Sequence, residues 1–218
     1  MKKSFGPAIP PTAENALCGR IIGAAFESFM GNGYAGTSMH EIARRAKVSK
    51  RDLYANFPSK QALLLACISN RAARMRLAPD LPAPSSREAL ASTLMAFAAI
   101  VIREVTQPAV TAMYRLAIAE AERSPDVAAA LNASRAVNRN ALAKLLARAQ
   151  QQGVLGRGDP QAMMEQYFGL LWGDLLFSRL LGAVNVPKSG EISRRARQAT
   201  DAFLRLHSKV TPDRKQGK

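Results

Sequence analysis

The stretch Thr37–Phe57, TSMHEIARRAKVSKRDLYANF, decides the fold. Ser38 precedes Glu41 by three residues, and Ser49 precedes Asp52 by three. At that spacing a hydroxyl accepts from the third helical N–H while the acid reaches back. The pattern predicts one short helix over Met39–Ala46 and a second beginning after Ser49. The second ends at Phe57-Pro58, because the residue before proline is pushed out of helical space. Ile42, Ala43, Ala46, Val48 and Leu53 fall where they can pack together. Lys50, Arg51, Tyr54 and Asn56 remain on the outer face of the second helix. A short rigid helix with bases and hydrogen-bonding groups outward has the shape that enters a DNA major groove.

Upstream, Leu17, Ile21, Ala25 and Phe29 repeat at four, with Ile22 and Phe26 beside them. This periodicity predicts a helix from Thr12 to Asn32, closed by Gly33 at a left-handed position. Residues 1 to 11 hold three prolines and are read as a flexible arm. Downstream, Ser59 caps a fourth helix running from Lys60 to about Leu77. Pro79–Ser86, PDLPAPSS, is a proline-rich break. Five more helices follow at Arg87–Thr106, Pro108–Arg123, Asp126–Gln152, Pro160–Gly182 and Ser189–His207, with Pro108 and Pro160 suited to first-turn positions. The expected fold is all-α. Its parts are an arm (1–11), a helix-turn-helix domain (12–60), a connecting helix (61–78), a second helical domain (85–209) and a basic tail (210–218).

The 218 residues include 31 Lys plus Arg against 16 Asp plus Glu, a net charge of +15, and 48% of them are hydrophobic. A sizeable core and a polyanionic partner follow, nucleic acid before membrane surface. The excess is densest at the ends: nine bases and four acids in residues 1–60, nine and three in residues 188–218. Cys18 and Cys67 are too few for a disulfide framework and suit a reducing cytosol; both read as small packed residues, with a redox role as the alternative. No apolar run follows Lys2 and Lys3, so a secretory signal is not expected. The most apolar stretch, Tyr167–Val186, contains Asp174 and Arg179. A charge at mid-membrane costs about 2.5–3.5 kcal/mol, so this stretch is read as a buried helix rather than a span. A cytoplasmic location is expected. The chain has two histidines, His40 and His207, and no nucleophile elbow, phosphate loop or metal-ligand spacing, which argues against an enzyme and against any cofactor.

The run Ala24-Ala25-Phe26, Gly33-Tyr34-Ala35-Gly36-Thr37-Ser38, Ile42-Ala43, Val48-Ser49 and Leu53-Tyr54-Ala55-Asn56-Phe57-Pro58-Ser59-Lys60-Gln61-Ala62-Leu63 resembles the tetracycline-repressor (TetR) family. The resemblance implies that Thr37 or Ser38 touches a phosphate from the start of the second helix, aided by that helix's positive end. It implies that Lys50 and Arg51 face base edges or nearby backbone, that Tyr54 and Lys60 reach phosphate, and that Ser49 belongs to the DNA-binding set. The alternatives are core packing for Tyr54 and an ordinary solvated charge for Lys60. Lys47 stands where the family commonly has glycine; it either reaches phosphate or is a solvated turn residue.

Gln107-Pro108, Tyr114-Arg115-Leu116, Ile118–Pro125 and Phe168–Asp174 resemble the C-terminal domain of the AefR-like subgroup. That resemblance implies an all-helical ligand-sensing and dimerising module, with Pro160–Gly182 and Ser189–His207 forming the interface of a homodimer. Gly169, Gly173 and Gly182 would let helices approach closely there. Met95, Met113, Tyr114, Phe168 and Trp172 offer the flexible and flat side chains of an adaptable apolar pocket for a small effector; the alternative is plain core. Arg115, Glu120 and Asp174 are read as structurally paired charges in preference to ligand-orienting ones. The expected function is a dimeric repressor on a palindromic duplex-DNA operator, released by a small apolar or amphipathic effector. The competing readings are an architectural DNA-binding protein without effector, and an enzyme.

Overall fold

The structure, a computed structural model, describes residues 13–73, 77, 82–119, 121–122 and 125–208. The expected arm, the helix start at Thr12, the first part of the proline-rich break, Glu120, Ser124 and the basic tail lie outside the described residues. The chain divides into two compact units, Met1–Asn70 and Arg71–Lys218.

The first unit holds α1 (Ala13–Asn32), α2 (Met39–Ala46), α3 (Lys50–Asn56) and the start of α4 (Lys60–Ala73). Its core is the apolar stripe of α1, with Ile21 and Ala25 fully buried and Phe26 and Phe29 nearly so, closed by Ile42, Ala43 and Leu53. Leu63, Leu64, Cys67 and Ile68 of α4 are buried as well. The head therefore extends through Asn70 and includes most of the helix expected to be only a connector. Burying four apolar side chains at about 1.5–3 kcal/mol each fixes that half of α4 firmly.

The second unit holds α5 (Arg87–Val105), α6 (Pro108–Ala119), α7 (Pro125–Gln151), α8 (Pro160–Trp172), α9 (Leu175–Leu181) and α10 (Ser189–Leu206). α10 packs on α5 and α8, α8 on α7, and α6 on α7 and α9. Leu94, Ile102, Leu142, Leu146, Tyr167 and Phe203 lie at the centre of this core. Ser86 starts α5 by accepting from Ala89 N–H at 3.1 Å, and Asp159 starts α8 by accepting from Gln161 and Ala162 N–H. Buried Tyr167 donates its hydroxyl to Leu94 O at 2.8 Å and lies 3.1 Å from Thr200 Oγ1. Burial holds the Tyr167 hydroxyl above its ordinary value of 10, with Thr200 acting in the opposite direction.

The single helix expected over Pro160–Gly182 is two. Gly173 takes φ 43° and ψ −126°, a conformation that side-chain-bearing residues rarely adopt, and the chain turns there between α8 and α9. The break frees the last carbonyls of α8. Arg195 of α10 takes up those of Leu171 and Trp172, at 3.2 and 3.1 Å. The same device closes other helices. Arg115 donates to Arg179 O and Leu180 O at the end of α9, and Arg87 donates to Leu204 O at the end of α10. Buried Arg179 donates to Thr106 O, just past α5, and to Val184 O. Arg115 is thus paired structurally, with backbone rather than with acid. Asp174 accepts from Ser178 Oγ. No single helix among the described residues is long and apolar enough to cross a membrane; α5 and α6 reach that composition only as a pair bent by 71°.

Candidate nucleic-acid interface

The serine half of each cap read from the sequence is formed, but the acids do not reach back to the cap N–H: Glu41 accepts from Asn32 Nδ2 at 2.8 Å and Asp52 from the Ser49 hydroxyl. Ser38 Oγ accepts from Glu41 N–H at 3.1 Å, and Ser49 Oγ accepts from Asp52 N–H at 3.0 Å while donating to Asp52 Oδ2 at 2.7 Å. These caps fix α2 and α3 over only 8 and 7 residues, lengths at which a helix in water does not persist unaided. Leu53, fully buried, is the tether that seats α3 on the core. On its other side Lys50, Arg51 and Tyr54 are exposed, Tyr54 at 51%. Positions 50, 51 and 54 share one face of a helix. Core packing of Tyr54 is thereby removed as an alternative.

Between the two helices Lys47 sits at φ 55° and ψ 50°, and its N–H donates to Ala43 O and Arg44 O. This is the left-handed closure that glycine adopts without strain, which explains why glycine is the common residue there. Lys47 tolerates it and places an exposed ammonium beside the start of α3. Exposed Arg45 is held back by Glu27 at 2.9 Å, so it spans α1 and α2.

Hydrogen bonding bears on three expectations and corrects those for Thr37 and Asn56. Thr37 was expected near phosphate, but it is buried and its hydroxyl proton is shared by Ser28 O at 3.0 Å and Gly33 O at 2.7 Å. A hydroxyl has one proton, so this one cannot also serve a phosphate. Ser38, whose cap uses only a lone pair, keeps its proton for that purpose. Lys60 Nζ donates to Tyr34 O at 2.8 Å and Thr37 O at 3.0 Å and lies 4.4 Å from the centre of the Tyr34 ring, which leaves its third proton for the expected phosphate. Asn56 was placed on the outer face of α3; its amide instead donates to Asp52 O at 2.8 Å and accepts from Cys18 Sγ–H at 3.3 Å. Tyr34 was not singled out from the sequence. Its role rests on a backbone carbonyl and a ring face, which leave no residue pattern.

In the second unit the expected pocket residues are dispersed in burial. Met113 is 2% exposed, whereas Met95, Tyr114, Phe168 and Trp172 are half-buried. Tyr114, Phe168 and Trp172 lie against the core. Phe168 meets Phe97 edge-on at 6.1 Å and Tyr167 at 6.4 Å, under the Arg139 guanidinium. Burial holds the Tyr114 hydroxyl above its ordinary range. A cleft of about 470 Å³ lies elsewhere, lined by Ile102, Asp174, Val184, Lys188, Ile192 and Arg195 among others, and none of the five residues lines it.

Two capped helices joined by a left-handed turn, the second offering bases to solvent, define a helix-turn-helix DNA-binding head. Residues 21–67 match the family described as bacterial regulatory proteins of the tetR family, and residues 92–209 match the C-terminal domain of AefR-like transcriptional repressors. The chain belongs to the TetR family of transcriptional regulators. A TetR transcriptional regulator from Agrobacterium tumefaciens superposes with a TM-score of 0.72 at 26% identity, covering 87% of this chain and 94% of that one. The flavonoid-responsive regulator FrrA superposes with a TM-score of 0.69 at 29% identity, covering 88% and 97%. YuxN, an uncharacterized HTH-type transcriptional regulator of Bacillus subtilis (strain 168), is 47% identical over 49 residues, 22% of this chain. The match spans 17% of that regulator's own length, so it bears on the head alone.

Proposed function

We propose that this regulator is a repressor that binds a palindromic operator as a homodimer and is released by a small apolar or amphipathic effector. The observation that carries the DNA step is the exposed triad Lys50, Arg51 and Tyr54 on a helix whose opposite side is anchored by Leu53. Lys50 and Arg51 supply the charged donors that read base edges, guanine above all, and Tyr54 a hydroxyl for phosphate. Ser38 and Lys47 flank them, at the start of α2 and at the turn; Ser49 lies beside them at the start of α3, its hydroxyl proton held by Asp52 Oδ2. The net charge of +15 favours the encounter with DNA.

Dimerisation is part of the proposal because one 7-residue helix reads little, whereas two presented about 34–36 Å apart read both halves of a two-fold site. Exposed Leu170, Phe177 and Leu181, the last two at 63% and 68%, offer apolar surface to a second copy. For the effector, the half-buried Met95, Tyr114, Phe168 and Trp172 with buried Met113 form the proposed contact set. The response of FrrA to flavonoids makes flat aromatic molecules a first class to try. Full switching from 1:99 to 99:1 requires about 5.5 kcal/mol of differential affinity between the two states.

A gel-shift titration against the DNA upstream of its own gene tests this reading. Retention of one fragment at physiological salt, lost on adding a flavonoid or a fatty acid, supports it. Binding without sequence preference would instead favour the architectural reading.

A further inference from the structure

We propose that the cleft of about 470 Å³ between α9 and α10 is a binding site for a small amphipathic carboxylate, an anion with a compact apolar body. Its volume falls in the range of about 300–1,000 Å³ that small-molecule sites occupy. One part of the lining is apolar. Ile102 of α5 and Ile192 of α10 are buried, Leu175 of α9 is half-buried, and Val184 and Val186 come from the loop between α9 and α10. The other part carries charge: Lys188, Arg194 and Arg195 supply three cations against the two acids Asp174 and Glu191. Both acids are already engaged. Asp174 accepts from the Ser178 hydroxyl, and Glu191 accepts from Lys188 N–H at 2.8 Å. Arg195 uses Nη1 on Leu171 O and Trp172 O, while its Nε and Nη2 protons have no partner among the described residues.

The cleft is formed before any ligand arrives. Buried Arg179 donates to Thr106 O at 3.1 Å and to Val184 O, which ties the loop to the end of α5. Ala183 N–H donates to Ser178 O at 2.9 Å at the start of the loop, and the Lys188–Glu191 bond fixes its end. A site whose walls are fixed in advance loses less binding energy to ordering. A guanidinium meets a carboxylate through two parallel N–H···O bonds, each roughly twice as strong as a neutral one. A neutral ligand forgoes those bonds, and a bare anion leaves the apolar wall uncovered. The chemistry therefore selects a molecule that has both parts. The site is separate from the five residues proposed to contact the effector. Leu170, Phe177 and Leu181, offered above to a second copy, do not line it either. Its occupation requires neither DNA nor release from DNA.

Titration of the full-length protein with sodium octanoate, without DNA, tests the assignment. Binding is followed by calorimetry and by the fluorescence of Trp172, the one tryptophan of the chain, whose carbonyl Arg195 holds. Octanoate is expected to bind saturably. Octanol lacks the charge and inorganic phosphate lacks the apolar body, so each is expected to bind about tenfold more weakly or worse. Arg194→Glu and Val184→Glu place a carboxylate at exposed positions of the lining, where substitution leaves the fold intact. Each is expected to weaken octanoate about tenfold or more, with the melting temperature of the ligand-free protein unchanged. Octanol or phosphate binding as tightly as octanoate overturns the proposal, and so does the absence of saturable binding. Octanoate affinity unchanged in both glutamate variants places the ligand outside this cleft and overturns it as well.

Discussion

Arg195 Nη1 donates to the carbonyls of both Leu171 and Trp172, so a guanidinium from α10 closes α8 at the point where Gly173 turns the chain. One side chain thus stabilises a break that would otherwise leave two carbonyls without partners. Removing it by Arg195→Met is expected to cost about 1–3 kcal/mol, the range for a lost charged hydrogen bond with its acceptors left behind. A urea titration followed by circular dichroism measures this. Gly173→Ala is expected to cost a further 1–3 kcal/mol or so, because φ 43° strains any residue with a Cβ. The space is adequate there, the nearest atom being Arg195 Nη1 at 3.6 Å. A neutral Gly173→Ala would show that α8 and α9 can run on as one helix.

This break was not legible in the sequence, and the reason is physical. A glycine inside a helical pattern is tolerated at about 1 kcal/mol, so Gly173 alone does not announce a turn. What decides it is Arg195, which lies 23 residues on from Trp172 and acts on backbone. The carbonyl partners of Lys60 were illegible for the same reason, since backbone leaves no residue pattern. The local features were legible: both serine caps, the stripe of α1 and the stop at Phe57-Pro58 depend on neighbours within four residues. The exposed face Lys50, Arg51 and Tyr54 followed from them.

Lys47→Gly separates two roles of one residue. At φ 55° a left-handed lysine carries about 1–2 kcal/mol of strain. The glycine variant is expected to recover part of this, about 0.5–1 kcal/mol after glycine's own entropy. A melting curve should show a rise of a few degrees. If Lys47 also reaches phosphate, the salt slope of DNA binding falls by about 0.9 in the same variant.

The buried hydroxyl of Tyr167 makes stability fall at alkaline pH. Its folded value lies above 10, so the native state keeps a proton that the unfolded chain loses. The contribution is complete below about 10 and declines as pH rises beyond it. Tyr167→Phe is expected to flatten that decline in urea midpoints measured from pH 8 to 11, with Tyr114 supplying what remains. At pH 7 the same variant should lose about 1–2 kcal/mol through the unpaired Thr200 hydroxyl and the lost bond to Leu94 O.

Arg51→Ala and Tyr54→Phe should act differently on DNA. Both side chains are exposed, so thermal stability is expected to stay within about 0.5 kcal/mol of wild type. Loss of a base-reading arginine costs about 1–3 kcal/mol and relaxes preference at one position. Loss of the Tyr54 hydroxyl weakens all sequences alike. Competition of the selected duplex against single-position variants of it distinguishes the two.

In the proposed function α3 reads duplex DNA and two copies do so together. Selection of the full-length protein against a random-sequence duplex library measures both at once. The account predicts an enriched two-fold site with half-site centres one helical turn apart, or a multiple of it, and loss of affinity when about five base pairs are inserted between the halves. Enrichment of no sequence, or of a single half-site unaffected by spacing, would contradict it.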